Sequence, residues 1–182
     1  MITKNVETLD EIIQANMTIP FRWNLKKREQ LGANIIADAK TIIIPQEFLF
    51  ELRRVSSRIL ALSDIANLYF IGRTPENFFD YLSGVFDDTN NLPGINLIQF
   101  SCRGVRQKGV STIAPQKLEA LFAYFKSVNL DAASILSASR PVALVDYVSS
   151  GGTIENLVNL LHRQAKQDSV DWNAVQRNLI II

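Results

Sequence analysis

The stretch Pro141-Val142-Ala143-Leu144-Val145-Asp146-Tyr147-Val148-Ser149-Ser150-Gly151-Gly152-Thr153-Ile154 decides how this chain is read. Pro141 to Val148 is a nearly continuous apolar run, the signature of a strand buried on both faces. It delivers a carboxylate, Asp146, near its carboxyl end. A tight loop of small residues, Ser149-Ser150-Gly151-Gly152, follows, and from Thr153 to about Gln167 the residues Ile154, Leu157, Val158, Leu161 and Ala165 recur at helical spacing. In parallel α/β sheets ligands bind at the carboxyl ends of strands. Small residues ahead of a helix expose backbone N–H groups, and the helix dipole adds partial positive charge, so the loop is suited to phosphate. Ser150 and Thr153 can add hydroxyl donors, and Asp146 can accept from hydroxyls of the molecule that carries the phosphate. A sugar phosphate satisfies both halves. The plainer reading is a strand-to-helix turn in which Ser149 or Ser150 caps the helix and Asp146 braces the loop.

Working outward, the same alternation recurs. Gln46 to about Leu62 reads as a helix, with Phe48, Leu52, Val55, Ile59 and Leu62 on one stripe. Asn67 to Ile71 is a buried strand that stops at Gly72-Arg73-Thr74-Pro75, where Thr74 suits an N-cap and Pro75 a first helical turn. Phe78, Phe79, Leu82, Val85 and Phe86 form the next helical stripe, and Asp87 to Gly94 a loop. Ile95 to Phe100 is a second strand, followed by a polar stretch, Ser101 to Ala114, carrying Arg103, Arg106 and Lys108. Pro115 opens a helix with Leu118, Leu121, Phe122 and Phe125; Ala132 to Leu136 is a short apolar segment. A short helix around Trp172 to Arg177 and a strand at Leu179 to Ile182 close the chain. Strands alternating with helices, and apolar throughout, predict a three-layer α/β domain with a mainly parallel sheet over residues 46–182. Residues 1–45 read as an N-terminal segment that mixes a candidate short helix at Thr8 to Ala15, a turn with two aromatics at Ile19 to Trp23, and a charged stretch at Lys26 to Glu29.

Composition removes several classes of function. The chain has 182 residues, 47% hydrophobic and 20% charged, an ordinary globular balance for one domain. One cysteine, Cys102, and one histidine, His162, exclude an internal disulfide framework and leave a Cys/His zinc site without ligands. Cys102 reads as small filler and His162 as a surface residue beside the apolar stripe of its helix. The net charge of +1 gives no strong nucleic-acid signal. No apolar run reaches bilayer length, and the acidic N-terminus MITKNVETLDEII does not read as a secretory signal, so a cytoplasmic protein without membrane partners is expected.

The segment 142–154 resembles the phosphoribosyl-pyrophosphate motif of the type I phosphoribosyltransferases, in which an apolar strand ends in two acids followed by a loop of Thr, Gly and Thr type. Asp146 falls on the second acid, Ser150 and Gly151 on the Thr-Gly pair, and Thr153 on the final Thr. The order of parts agrees over roughly residues 46 to 182: Gly72-Arg73-Thr74 falls where the family binds pyrophosphate, and Ser101 to Ala114 where a mobile loop closes. The resemblance implies a type I phosphoribosyltransferase-like fold and transfer of ribose 5-phosphate from phosphoribosyl pyrophosphate, with Mg²⁺, to a nitrogenous base or related nucleophile. Ser149, Ser150, Gly151, Gly152 and Thr153 would cradle the 5′-phosphate; Asp146 and Arg73 would be catalytic, with Gly72, Arg73 and Thr74 on the pyrophosphate. Arg103, Arg106 and Lys108 would add charge from the mobile loop, and a homodimer is a compatible assembly.

Three departures shape the alternatives. Val145 stands where the first acid is usual, Ser149 where some purine-specific members carry an acid, and the base-recognition groups that several members place after the last strand are expected instead from residues 1–45, as a candidate hood or cap with Phe21 and Trp23 as stacking groups. A non-catalytic subunit of the same fold, binding phosphoribosyl pyrophosphate or a nucleotide as a regulator, is therefore the second reading. A protein-interaction subunit that has lost the ligand is the third.

Overall fold

The chain divides into two compact units, Met1–Pro45 and Gln46–Ile182. The computed structural model describes residues 45–86, 92–100, 113–147 and 151–182. The second unit runs α1 (Gln46–Ser63), β1 (Asn67–Ile71), α2 (Glu76–Phe86), β2 (Ile95–Ile98), α3 (Pro115–Ser127), α4 (Ala132–Ser137), β3 (Val142–Val145), α5 (Gly152–Gln167), α6 (Trp172–Arg177) and β4 (Leu179–Ile181). No helix among the described residues is long and apolar enough to cross a membrane.

The four strands form one sheet in the order β2-β1-β3-β4, and every neighbouring pair is parallel. Register is tight: Phe70 lies opposite Leu97 on one side and Val145 on the other. Because side chains alternate, this register sorts the strands into two faces. Tyr69, Ile71, Ile98, Val142 and Leu144 point to one face and join a core with Phe125, Ile135, Leu157, Leu161 and Val175. Leu68, Phe70, Ala143 and Val145 point to the other and join Ile59 and Leu82. Helices thus cover both faces, α1 and α2 on one and α3 to α6 on the other, so the unit is α/β in three layers.

The direction of each crossover explains the sorting. From β1 the chain steps outward to β2 through α2; from β2 it passes back over β1 to β3 through α3 and α4, and continues the same way to β4 through α5 and α6. Crossovers of one hand that run in opposite directions must place their helices on opposite faces. The two core clusters have that distribution.

Several expectations shift by a residue or more. Of the expected strand from Pro141 to Val148, Val148 lies outside the described residues, and of the rest the ladder holds over Val142–Val145; β2 stops at Ile98 rather than Phe100. The apolar segment 132–136 is a helix, because Asp131 caps it: its carboxylate accepts from the N–H groups of Ala133 and Ser134, each at 3.2 Å. Thr74 is not the N-cap of α2; Phe79 N–H donates to the Pro75 carbonyl at 3.1 Å, so Pro75 occupies that position. On α1 the buried face is Leu52, Ser56, Ile59 and Ser63, while Phe48 and Leu62 of the expected stripe are exposed. The inward positions 52, 56, 59 and 63 recur at three and four residues, so the buried face lies one step round the helix from the apolar stripe and carries two serines. Burial of Ser56 leaves its hydroxyl without a hydrogen-bond partner among the described residues, as it does the side-chain amide of Gln164 on α5.

Candidate functional site

β1 and β3 are adjacent, yet the chain leaves them toward opposite faces, into α2 and α5 respectively. Such a reversal opens a crevice at the carboxyl ends of the two strands, where open α/β sheets bind ligands. The register brings the two loops together: Val145 pairs with Phe70, so Asp146 emerges beside Ile71 and Gly72. Gly72, Arg73 and Thr74 and the pair Asp146 and Gly151 therefore stand at one end of the sheet, on neighbouring strands. β2, the strand ahead of the segment holding Arg103, Arg106 and Lys108, ends on the other side of β1. Those three basic residues, with Cys102, Ser149, Ser150, Phe21 and Trp23, lie outside the described residues.

Both loops are glycine-dependent. Gly72 has φ +77° and Gly151 φ +74°, in the left-handed region that side chains other than glycine rarely adopt. Gly72 also turns against β2: its N–H donates to the Ile98 carbonyl at 2.8 Å, and a Cβ there would sit 3.1 Å from the Phe100 carbonyl oxygen. Arg73 and Thr74 are exposed, so the guanidinium is available at the sheet end. Order along the chain points to this loop, whereas its left-handed backbone is set by the pairing with β2.

Gly151 is the N-cap of α5; its carbonyl accepts from Glu155 N–H at 2.9 Å, and no side-chain cap is made. A helix leaves its first amides without partners inside the helix. Here those of Gly152 and Thr153 are half-buried at the mouth of a sixteen-residue helix, where the dipole favours an anion. The first helical residue is Gly152 rather than Thr153, so Thr153 is already within the first turn. Asp146 is half-buried, and its own N–H donates to the Ile182 carbonyl at 3.2 Å, which ties the base of the loop to the end of β4. Burial pushes the Asp146 carboxyl above the usual carboxylate range, and a hydrogen bond from the Tyr147 backbone N–H partly offsets this. Tyr147 itself is 71% exposed, an aromatic ring next to the carboxylate that the sequence reading did not single out. Val145, where the motif's first acid would stand, is 3% exposed and packs into the core against α1 and α2.

His162 stacks on Trp172 of α6, with ring centroids 4.9 Å apart, and is exposed on α5, away from this crevice. Among the described residues no group of His, Cys, Asp or Glu could hold a metal ion by itself. Comparison of the chain with family models, curated proteins and solved structures gives no match to any of them.

Proposed function

We propose that the protein binds phosphoribosyl pyrophosphate at the carboxyl ends of β1 and β3 and transfers its ribose 5-phosphate to a nitrogenous base or related nucleophile, on a fold of the type I phosphoribosyltransferase kind. The observation that carries this reading is the pairing, on adjacent strands at the sheet's reversal point, of two left-handed glycine loops, one with an exposed arginine and one with a carboxylate. Amides of Gly151, Gly152 and Thr153, with the hydroxyls of Thr153, Ser149 and Ser150, hold the 5′-phosphate. Asp146 accepts from the ribose hydroxyls. Gly72, Arg73 and Thr74 bind the pyrophosphate, and Arg73 stabilises its charge as the anomeric C–O bond breaks and the C–N bond forms. Arg103, Arg106 and Lys108 add positive charge from the following segment.

The single carboxylate Asp146 fits Mg²⁺ that arrives chelated by the pyrophosphate, because Mg²⁺ keeps several waters and takes one or two carboxylates plus phosphate oxygens. Bound in this way, with Asp146 contacting its hydration shell, the ion would supply neutralisation of the leaving group.

The buried Val145 favours a second reading, a non-catalytic relative that binds the same ligand as a regulator. Calorimetry of the full chain with phosphoribosyl pyrophosphate and Mg²⁺ tests both. Binding is expected, and Asp146→Ala, which removes the acceptor for the ribose hydroxyls and leaves both glycines in place, weakens it at least tenfold while the circular dichroism spectrum stays native. An absence of heat at millimolar ligand defeats both readings. Pyrophosphate release on adding a panel of bases then separates enzyme from regulator.

A further inference from the structure

A cavity of about 350 Å³ opens at the opposite end of the sheet, between the amino ends of β1, β2 and β3 and helix α4. Its lining comprises Asn67, Tyr69, Asn96 and Val142 from the strands, Gly94 just ahead of β2, and Asn129, Ser134, Ser137 and Ala138 from α4 and the residues on either side of it. The size lies in the range of small-molecule pockets, roughly 300–1,000 Å³. We propose that this cavity is a binding site for a neutral polyhydroxylated molecule of monosaccharide size. The site is independent of the one proposed above.

The chemistry of the wall carries the assignment. Side-chain amides and hydroxyls both donate and accept, and no Lys, Arg, Asp or Glu is among the described lining residues. Hydrogen bonds among the described residues use Asn67 Oδ1, which accepts from Gly94 N–H at 2.8 Å, and the Tyr69 hydroxyl, which donates to the Val128 and Asn129 carbonyls at 3.3 and 3.2 Å. Ser134 donates to the Asp131 carboxylate at 2.5 Å, and Ser137 to the Ser134 carbonyl at 3.2 Å. The amides of Asn96 and Asn129 take part in none of these. These bonds brace the wall and leave amide groups to face the cavity.

Two features select the ligand class. Asp131 is buried directly behind α4's first turn and raises the phenol of Tyr69, after burial itself, so the wall is electronegative and unsuited to phosphate. Tyr69 is 5% exposed and offers no open ring face, and no other aromatic is among the described lining residues; a flat heterocycle finds no stacking partner among them. Val142 and Ala138 provide a small apolar patch of the kind that suits the C–H groups of a sugar.

The test is titration of the full ¹⁵N-labelled chain with D-ribose and myo-inositol, and separately with adenine and inorganic phosphate, followed by amide chemical shifts. The expected result is saturable shifts with the polyols at and around Asn96, Asn129 and Ser134. Asn129→Gly keeps the left-handed backbone at φ +55° and removes only the amide. It should weaken polyol binding roughly tenfold, as should Asn96→Ala. No saturable polyol shift up to roughly 100 mM, where a site of about 10 mM would be largely filled, overturns the proposal. So do stronger shifts of these residues with adenine or phosphate, or polyol binding unchanged in both variants.

Discussion

The two ends of the sheet are built by different means. At the carboxyl end the geometry is made by backbone: two glycines at positive φ, the open first turn of α5, and a loop that touches the Phe100 carbonyl. At the amino end it is made by side chains: Asn67 bridging to Gly94, Tyr69 reaching the end of α3, and Asp131 holding the start of α4. An end made of backbone tolerates little change at its glycines and presents donors in a fixed array, which suits an anion. An end made of side chains can be edited one group at a time and presents mixed donors and acceptors.

The sharpest way to break this contrast is Gly72→Val. A β-branched residue at φ +77°, with its Cβ 3.1 Å from a backbone carbonyl, should cost about 2–3 kcal/mol, read as a lower denaturation midpoint at unchanged m. A loss below a few tenths would mean that the loop re-forms without glycine, and the carboxyl end would not be backbone-limited.

Asp131→Ala probes the other end. It removes the cap of α4 and the partner of Ser134, for an expected cost of about 1–2 kcal/mol. The cost should be local: amide exchange should accelerate in α4 and around Asn129 while α5 keeps its protection. Uniform loss of protection would show that α4 is not separately held.

The smallest effect is expected at Asp146. Its folded-state carboxyl lies above the unfolded value, so between the two the native state holds more proton and stability falls as pH rises; above the folded value the penalty is constant. Asp146→Asn should therefore melt higher than the parent near pH 7, with the difference vanishing below the unfolded carboxylate range. A difference that persists unchanged into acid would assign the effect to something other than ionisation.

Legibility differed between these regions for physical reasons. The strands were readable because a parallel sheet covered on both sides demands continuous apolar runs, and Asn67–Ile71 and Val142–Val145 are such runs. The Gly151-Gly152 turn was readable because a loop of small residues before a helix has few other uses. The orientation of α1 was not: Ser56 and Ser63 face inward and Phe48 and Leu62 outward, a rotation that the apolar spacing of the segment does not encode. Helix α4 was readable in principle, since Asp131 ahead of a short apolar run is a cap signal, but six residues carry too little periodicity to show a helix without it.

The amino-end cavity was out of reach of any local reading. Asn67, Asn96, Asn129 and Ser134 are dispersed along the chain and meet only because β1 and β2 pair in register and α4 packs beneath them. The sequence by itself determined the alternation of strands and helices, the apolar strands and the glycine-rich turn after Asp146, since each depends on neighbours within a few residues. Only the tertiary structure decided the order β2-β1-β3-β4, and with it the reversal that sets Gly72 beside Asp146 and the cavity at the far end. Strand order follows from which buried faces fit against which helices, a long-range packing choice that no short stretch of residues encodes.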